Sequence, residues 1–417
     1  MAWRCLQVWC VTLVFLVDAV VKDVNIQMNN HLVQFLEIDY GLELGGKIIV
    51  DLQNRQPAND TYIMILNHGQ WLLWRETDMV TLASDLPQPQ ATKPLNAFLV
   101  SCWRGVLSDR LQGNFLVEES TGGRNRYTVL LVSALKSAVD VHGQIKFENP
   151  GDAQLPVQDL DVPWALGIAG GVYLVTALLV SWCLLRSNGL HTLLFMVLSL
   201  RGVVLMLRWI KFLLVNLNGK ESSFAQIVWE LVGKVQNISE LMMFLLISLG
   251  WKVLRPHLDI SEIRFAVAMS IISFYLGVFQ VACTTPSTCS GYQLSRYILH
   301  ALCYLVVIVA MNFNLQKLVL AIADAPATVD SGKLYRKLQA YHIFRWVFLL
   351  FIIAPTFELF LKVTIIPWDQ NWLFVLLQEL RTWVIYVVLI YAYRPDPAPL
   401  RVFELTERAD DGSDDQE

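Results

Sequence analysis

The sequence predicts a membrane protein with two parts, an N-terminal lumenal antiparallel β-sandwich and an all-α bundle of seven transmembrane helices. Three observations lead there. Seven hydrophobic stretches between Pro163 and Arg394 meet the roughly 20-residue length of a bilayer-spanning helix, and they lack the strict alternation of a barrel strand. Ahead of them lies a series of short β-type runs punctuated by Gly and Asn turns. The chain is 55% hydrophobic and only 16% charged, which is membrane-like usage. A net charge of −4 without a basic run argues against nucleic-acid binding.

Residues 1–19 read as a secretory signal peptide. Arg4 supplies the positive start, Leu6–Val17 the apolar core, and Val17-Asp18-Ala19 a small-residue cleavage site. An uncleaved anchor would add a span, but the core is shorter than a span and no stop-transfer pattern follows. Cleavage removes Cys5 and Cys10 and leaves Cys102 alone among the ectodomain cysteines, so this is not a disulfide-dense secreted module.

Residues 20–160 form the expected sandwich. Strand-like runs fall at Leu32–Ile38, Lys47–Leu52, Thr61–Leu66, Gln70–Trp74, Phe98–Cys102, Asn114–Glu118, Tyr127–Val132 and Gln144–Phe147. Gly45-Gly46, Asn67-His68-Gly69-Gln70, Gly122-Gly123 and Asn149-Pro150-Gly151 supply turns, and Leu82–Pro94 reads as a long loop. Asn59-Asp60-Thr61 fits a glycosylation acceptor on the lumenal side. Trp71 and Trp74 fit a sandwich core or rim better than a binding site. The ectodomain carries no His/Cys/Asp/Glu cluster with metal-ligand spacing, and no cofactor is expected.

Residues 161–394 form the helical part, with spans near 163–186, 191–215, 224–251, 264–283, 294–318, 338–364 and 372–393. Lys and Arg concentrate in the loops assigned to the cytosol, which puts the N-terminus in the lumen or outside the cell and the tail inside. Cys283 and Cys289 flank a short loop on the outer side and are a candidate disulfide, although Cys102 is an alternative partner for either.

Charges inside the spans carry the most information, because each costs about 2.5–3.5 kcal/mol at mid-membrane if it faces lipid. The second span places Arg201, Arg208 and Lys211 on one stripe, and the third answers with Gln226, Glu230, Lys234, Asn237 and Glu240. Counted from the loop between them, Arg208 matches Glu230 in depth and Arg201 matches Glu240, which predicts two interhelical ion pairs. Arg296, His300 and Asn314 share a face of the fifth span. Glu358 and Lys362 lie one turn apart in the sixth, which Pro355 should break or kink. In the seventh, Gln378, Arg381 and Thr382 share a face with Glu379 to one side. These groups either bind helices together or line a cavity, and the pattern leaves both open.

Several motifs exclude familiar chemistries. The third span ends Gly250-Trp251-Lys252 rather than Asp-Arg-Tyr, and the seventh ends Tyr393-Arg394-Pro395 rather than in Asn-Pro-x-x-Tyr, so standard G-protein coupling is unsupported. The histidines are scattered without a His-x-x-x-His pair, and an enzyme is not expected.

The layout resembles the GOLD-domain seven-transmembrane proteins, also called lung seven-transmembrane receptors. The resemblance rests on Phe147-Glu148-Asn149-Pro150-Gly151 before the first span and on Ile238-Ser239-Glu240 followed by Leu245 to Gly250-Trp251. It also rests on Phe360-Leu361-Lys362 leading through Pro367-Trp368 to Trp372-Leu373, and on Tyr393-Arg394-Pro395. The ectodomain is poor in cysteine, so a lumenal disulfide found in some relatives is not carried over. The resemblance implies a GOLD-like sandwich and a Golgi, endosomal or cell-surface location. It further implies a role in protein trafficking or secretion and a cavity between helices open to membrane lipid. Its partners would be lipid in the bundle and protein cargo at the lumenal domain. The alternatives are a cation channel or transporter using Glu230, Glu240, Glu358 or Glu379, and an orphan signalling receptor. Residues 395–417 form an acidic cytosolic tail.

Overall fold

A computed structural model describes residues 22–28, 33–55, 61–76, 103–107, 110–119, 123–133, 139–151, 153–184, 189–218, 223–283, 286–324 and 331–394. The leader, Asn59, Cys102, the Pro-rich stretch 82–94 and the acidic tail lie outside the described residues.

The N-terminal strands are β1 (Lys22–Met28), β2 (Val33–Leu42), β3 (Lys47–Asn54), β4 (Thr61–Asn67), β5 (Trp103–Val106), β6 (Arg110–Leu116), β7 (Asn125–Ser133) and β8 (Val139–Glu148). They make two antiparallel sheets of order β1-β8-β3-β6 and β2-β7-β4-β5. In β3 the alternation is regular: Ile48, Val50 and Leu52 are buried and their neighbours less so. These side chains meet Ile63, Ile65, Val129 and Leu131 of the other sheet in one apolar core. β1 was not anticipated, because its alternation is too short to stand out beside the leader.

One expected strand is a helix. His68–Glu76, here α1, leaves β4 directly. Asn67 and Gln70 explain it: the Gln70 N–H donates to Asn67 Oδ1 at 2.9 Å, and the Asn67 N–H donates to Gln70 Oε1 at 2.9 Å. This reciprocal pair is a capping box, and it converts an expected turn into a helix start. α1 lays Trp71 and Trp74 over Met64, Leu66, Leu130 and Val132 on the outer face of the second sheet. That cover accounts for β4 being buried on both faces rather than alternating.

Seven helices follow: α2 (Val162–Leu184), α3 (Gly189–Asn218), α4 (Ser223–Ser248), α5 (Ile260–Ala282), α6 (Pro286–Asp324), α7 (Ser331–Thr364) and α8 (Asn371–Ala392). All seven are long and apolar enough to cross a membrane. α7 continues as one helix through Pro355, so of the expected break or kink the break does not occur. The ring removes one donor, to the Phe351 carbonyl, and a helix of this length absorbs one lost bond.

The end of α4 explains the Gly250-Trp251 signature. Gly250 has φ +85°, and a Cβ there would meet Leu254 and the Tyr341 hydroxyl. The Trp251 N–H bonds Leu246 O and the Gly250 N–H bonds Ile247 O, a Schellman termination. The final carbonyls are captured by side chains: Tyr341 OH donates to Ile247 O, Asn314 to Ser248 O and Arg255 to Leu249 O.

The chain divides into two compact units. One joins the sandwich to 162–170, 204–230 and 358–378; the other comprises 171–203, 231–357 and 379–394 of the described residues.

Two predictions follow from the sandwich. Trp74→Ala, at a side chain 1% exposed, should lower its stability by about 3–5 kcal/mol, whereas Leu73→Ala, at 59% exposed, should change little; pulse proteolysis across a urea series measures both. Burial opposes ionisation of Glu148, but contacts from Lys146 and Lys47 outweigh it and hold the carboxyl below the usual glutamate range. Hydrogen bonds from Arg110 likewise lower Asp51. A depressed folded pKa gives stability that is present above the ordinary carboxylate range and lost as pH falls through the lowered value. The sandwich should therefore lose stability on acidification below about pH 4, and Glu148→Gln should flatten that dependence.

Candidate functional site

The most concentrated polar group in the helical region surrounds Arg201, in the middle of α3. Its Nε and Nη2 donate to the two carboxylate oxygens of Glu379 on α8, at 3.0 and 2.7 Å. Its Nη1 lies 3.8 Å from Glu240 Oε1 on α4. That same oxygen accepts hydrogen bonds from Tyr386 OH on α8 at 2.5 Å and from the Gln236 side-chain amide at 3.1 Å. Tyr173 of α2 donates its hydroxyl to the Glu379 carbonyl at 3.0 Å. Side-chain exposures of 18% for Arg201, 11% for Glu240 and 4% for Glu379 set the group apart from solvent.

The fork geometry decides what this arrangement does. A bidentate arginine–carboxylate pair is among the strongest and most directional polar contacts, and in hydrocarbon neither partner has a competing solvent. Four helices thus meet on one guanidinium and two carboxylates. The backbone allows it: a Cβ on Gly202, next to Arg201, would lie 2.8 Å from a methyl of Leu174 and push that side chain aside, so glycine favours the close approach of α2 and α3 here.

The sandwich-bearing unit holds the second grouping. Arg208 and Lys211 of α3 lie over the Trp229 ring of α4, at 5.7 and 4.7 Å from its centroid. The next residue, Glu230, accepts a hydrogen bond from the Gln226 amide at 3.3 Å. Lys362 of α7 lies 4.6 Å from the Phe374 ring centroid of α8, and Glu358 is buried.

The depth-matching argument brings Arg201 to Glu240, but the closer partner is Glu379, which sequence reasoning put to one side of its helix. Glu379, Thr382 and Tyr386 share the α8 face that meets Arg201, whereas Arg381 is half-buried one step around. Tyr173, Tyr386 and Gln236 were missed. The available signal was spacing, since Gln236 stands four residues before Glu240 and Tyr386 seven after Glu379. Cys283 and Cys289 are joined as a disulfide, with Cα atoms 5.6 Å apart. Among the described residues no group of three or more His, Cys, Asp or Glu is placed to hold a metal ion.

A β-sandwich leading into seven long apolar helices defines a multi-pass membrane protein with an N-terminal β-domain. Residues 169–399, more than half of the chain, match the family described as GOST, seven transmembrane domain. The chain belongs to that family. A search of curated proteins gives no match.

Arg201→Leu leaves two carboxylates facing each other in the membrane and should cost about 3–5 kcal/mol, read as a lowered unfolding temperature in detergent. The double variant Arg201→Leu/Glu379→Leu should recover part of that loss. A double variant no more stable than Arg201→Leu alone would show that the pairing does not hold these helices.

Proposed function

We propose that this protein is a sorting receptor or carrier of the secretory and endosomal membranes, with the sandwich in the lumen, where it contacts protein cargo, and the tail in the cytosol. The observation that supports this most is the polar seam between the sandwich and the helix ends within one unit. Arg124 pairs with Asp369 at 3.0 Å just before α8, and Arg126 lies 5.6 Å from the Trp368 ring centroid. Asn371 donates to Asp159 at 2.7 Å, and Asn216 near the end of α3 accepts from the Gln154 N–H at 3.2 Å. On the sandwich side Tyr40 donates to Gln154 O at 2.6 Å, and the Gln158 amide bridges Asp39 O and the Gly41 N–H. Burial, with Glu37 and Asp159 nearby, holds the Tyr40 phenol well above its ordinary pKa, so it remains a donor at physiological pH. A load on the sandwich therefore reaches α3 and α8 through hydrogen bonds rather than through a slack linker. No catalytic step belongs to this reading. Residence in the Golgi, in endosomes or at the cell surface, and a glycan on Asn59, belong to it.

The second reading, a cation channel or transporter, draws on Glu240 and Glu379. The carrier reading is favoured because both carboxylates are occupied by Arg201 and Tyr386 rather than left to line a path.

Deleting residues 22–160 should mislocalise or retain specific secreted proteins while the helices remain folded, and Arg124→Glu should reproduce part of the defect, both read by quantitative secretome comparison. Purified protein in planar bilayers should pass no cation current. A current that Glu240→Gln abolishes would establish the channel instead.

A further inference from the structure

The register of β2 against β7 slips between Glu37 and Tyr40, and Asp39 sits at the slip with φ +55°. A bulge of this kind re-aims the residue it carries. Here it turns the two ends of Asp39 toward different neighbours. The carbonyl accepts from Gln158 Nε2 at 3.1 Å, in the stretch that leads to α2. The carboxylate reaches His68 Nδ1 at 3.1 Å and Arg126 Nη1 at 3.5 Å. Arg126 closes the triangle, with its Nη2 2.7 Å from His68 Nε2. The same guanidinium lies over the ring of Trp368, in the turn ahead of α8.

Only one tautomer satisfies both contacts of the histidine ring. Arginine can only donate, so Nε2 is the bare, accepting nitrogen. A carboxylate can only accept, so Nδ1 carries the hydrogen. His68 is therefore neutral in this arrangement. A second proton has one place to go, Nε2, where it would set an N–H against the N–H of Arg126. It would also put a positive ring on the first residue of α1, where the helix dipole already presents positive charge. The contact with Asp39 survives that change, and the contact with Arg126 does not. Imidazole is the side chain whose charge ordinarily changes between about pH 5 and 8. The other charges along this seam are Glu37 on β2, Arg124 on β7, Asp159 ahead of α2 and Asp369 ahead of α8. β4 adds no charged residue, and Arg75 and Glu76 stand about two turns along α1. Arg124 and Asp369 already pair with each other, and an ordinary carboxylate stays mostly ionised down to about pH 5.

We propose that Asp39, His68 and Arg126 form an acid-sensitive latch between the sandwich and the turn ahead of α8. Acid places the second proton on His68, Arg126 leaves the ring, and its position over Trp368 loses its anchor. The seam that Asp39 shares with Gln158 then loosens from the same point. The inference rests on the trafficking reading only for the acid that a lumenal sandwich would meet; the latch itself is a property of the joint.

Hydrogen exchange of the full-length protein in nanodiscs, compared at about pH 7.5 and about pH 5.5 after correction for intrinsic rates, tests the latch without any cargo. In the wild type, amides of residues 38–41, 154–160 and 365–371 should exchange about tenfold faster at the acid value, the equivalent of one charge-assisted hydrogen bond, while the centre of β7 stays protected. His68→Gln, whose amide can accept from Arg126 and donate to Asp39 but takes up no proton, should abolish the acid response. His68→Lys, ionised at both values, should show the faster exchange at both, with protection of β7 certifying that it is folded. Equal exchange along the seam at the two values in the wild type overturns the proposal without reference to any variant. So does an acid response that His68→Gln leaves intact, which would assign it to a carboxylate. Neither result depends on whether deleting the sandwich disturbs secretion, so the latch and the trafficking reading can fail separately.

Discussion

The fork between Arg201 and Glu379 is the constraint on which the helical region depends. In water a core forms because apolar surface leaves solvent, but between membrane helices that drive is absent, since lipid is as apolar as leucine. Helices must instead be told where to stand by close packing and by polar groups that have nowhere else to go. Arg201 supplies that instruction to α3, α4 and α8, and Tyr173 extends it to α2. Gly202 removes the steric obstacle to the same arrangement. The pair contributes little to net stability by itself, because desolvating three charges offsets most of their attraction. Its effect is on choice: few other packings would leave none of the three charges unanswered.

A comparable economy governs the helix ends. The last carbonyls of α4 have no partners within the helix, and in or near hydrocarbon that would be a severe penalty. α6, α7 and the following turn each send one side chain to answer them, Asn314, Tyr341 and Arg255. The glycine that reverses the chain there is favoured by geometry, since φ +85° strains any other residue and a Cβ would crowd Leu254.

Much of this was legible in the sequence. The seven spans could be read because membrane length and hydropathy are coarse and strongly constrained. The ion-pair argument brought Arg201 to Glu240 because depth along antiparallel helices can be counted. It could not find Glu379, because no count of depth tells which of two non-adjacent helices faces an arginine; that needs the packing order of the bundle. α1 was misread for a different reason. Asn67-His68-Gly69-Gln70 is rich in turn formers, and the two tryptophans after it favour strands. The reciprocal bonds of Asn67 and Gln70 override both, and a search for the capping pair would have exposed them.

The cover that α1 gives to one sheet changes what the sandwich can offer a visitor. With Trp71 and Trp74 laid across that side, the opposite sheet is left to present Asp51, Arg110 and Gln112, already joined to one another. A protein arriving face-on there meets a mosaic of charges instead of grease. Association of that kind is quick to form, sensitive to ionic strength and easily reversed.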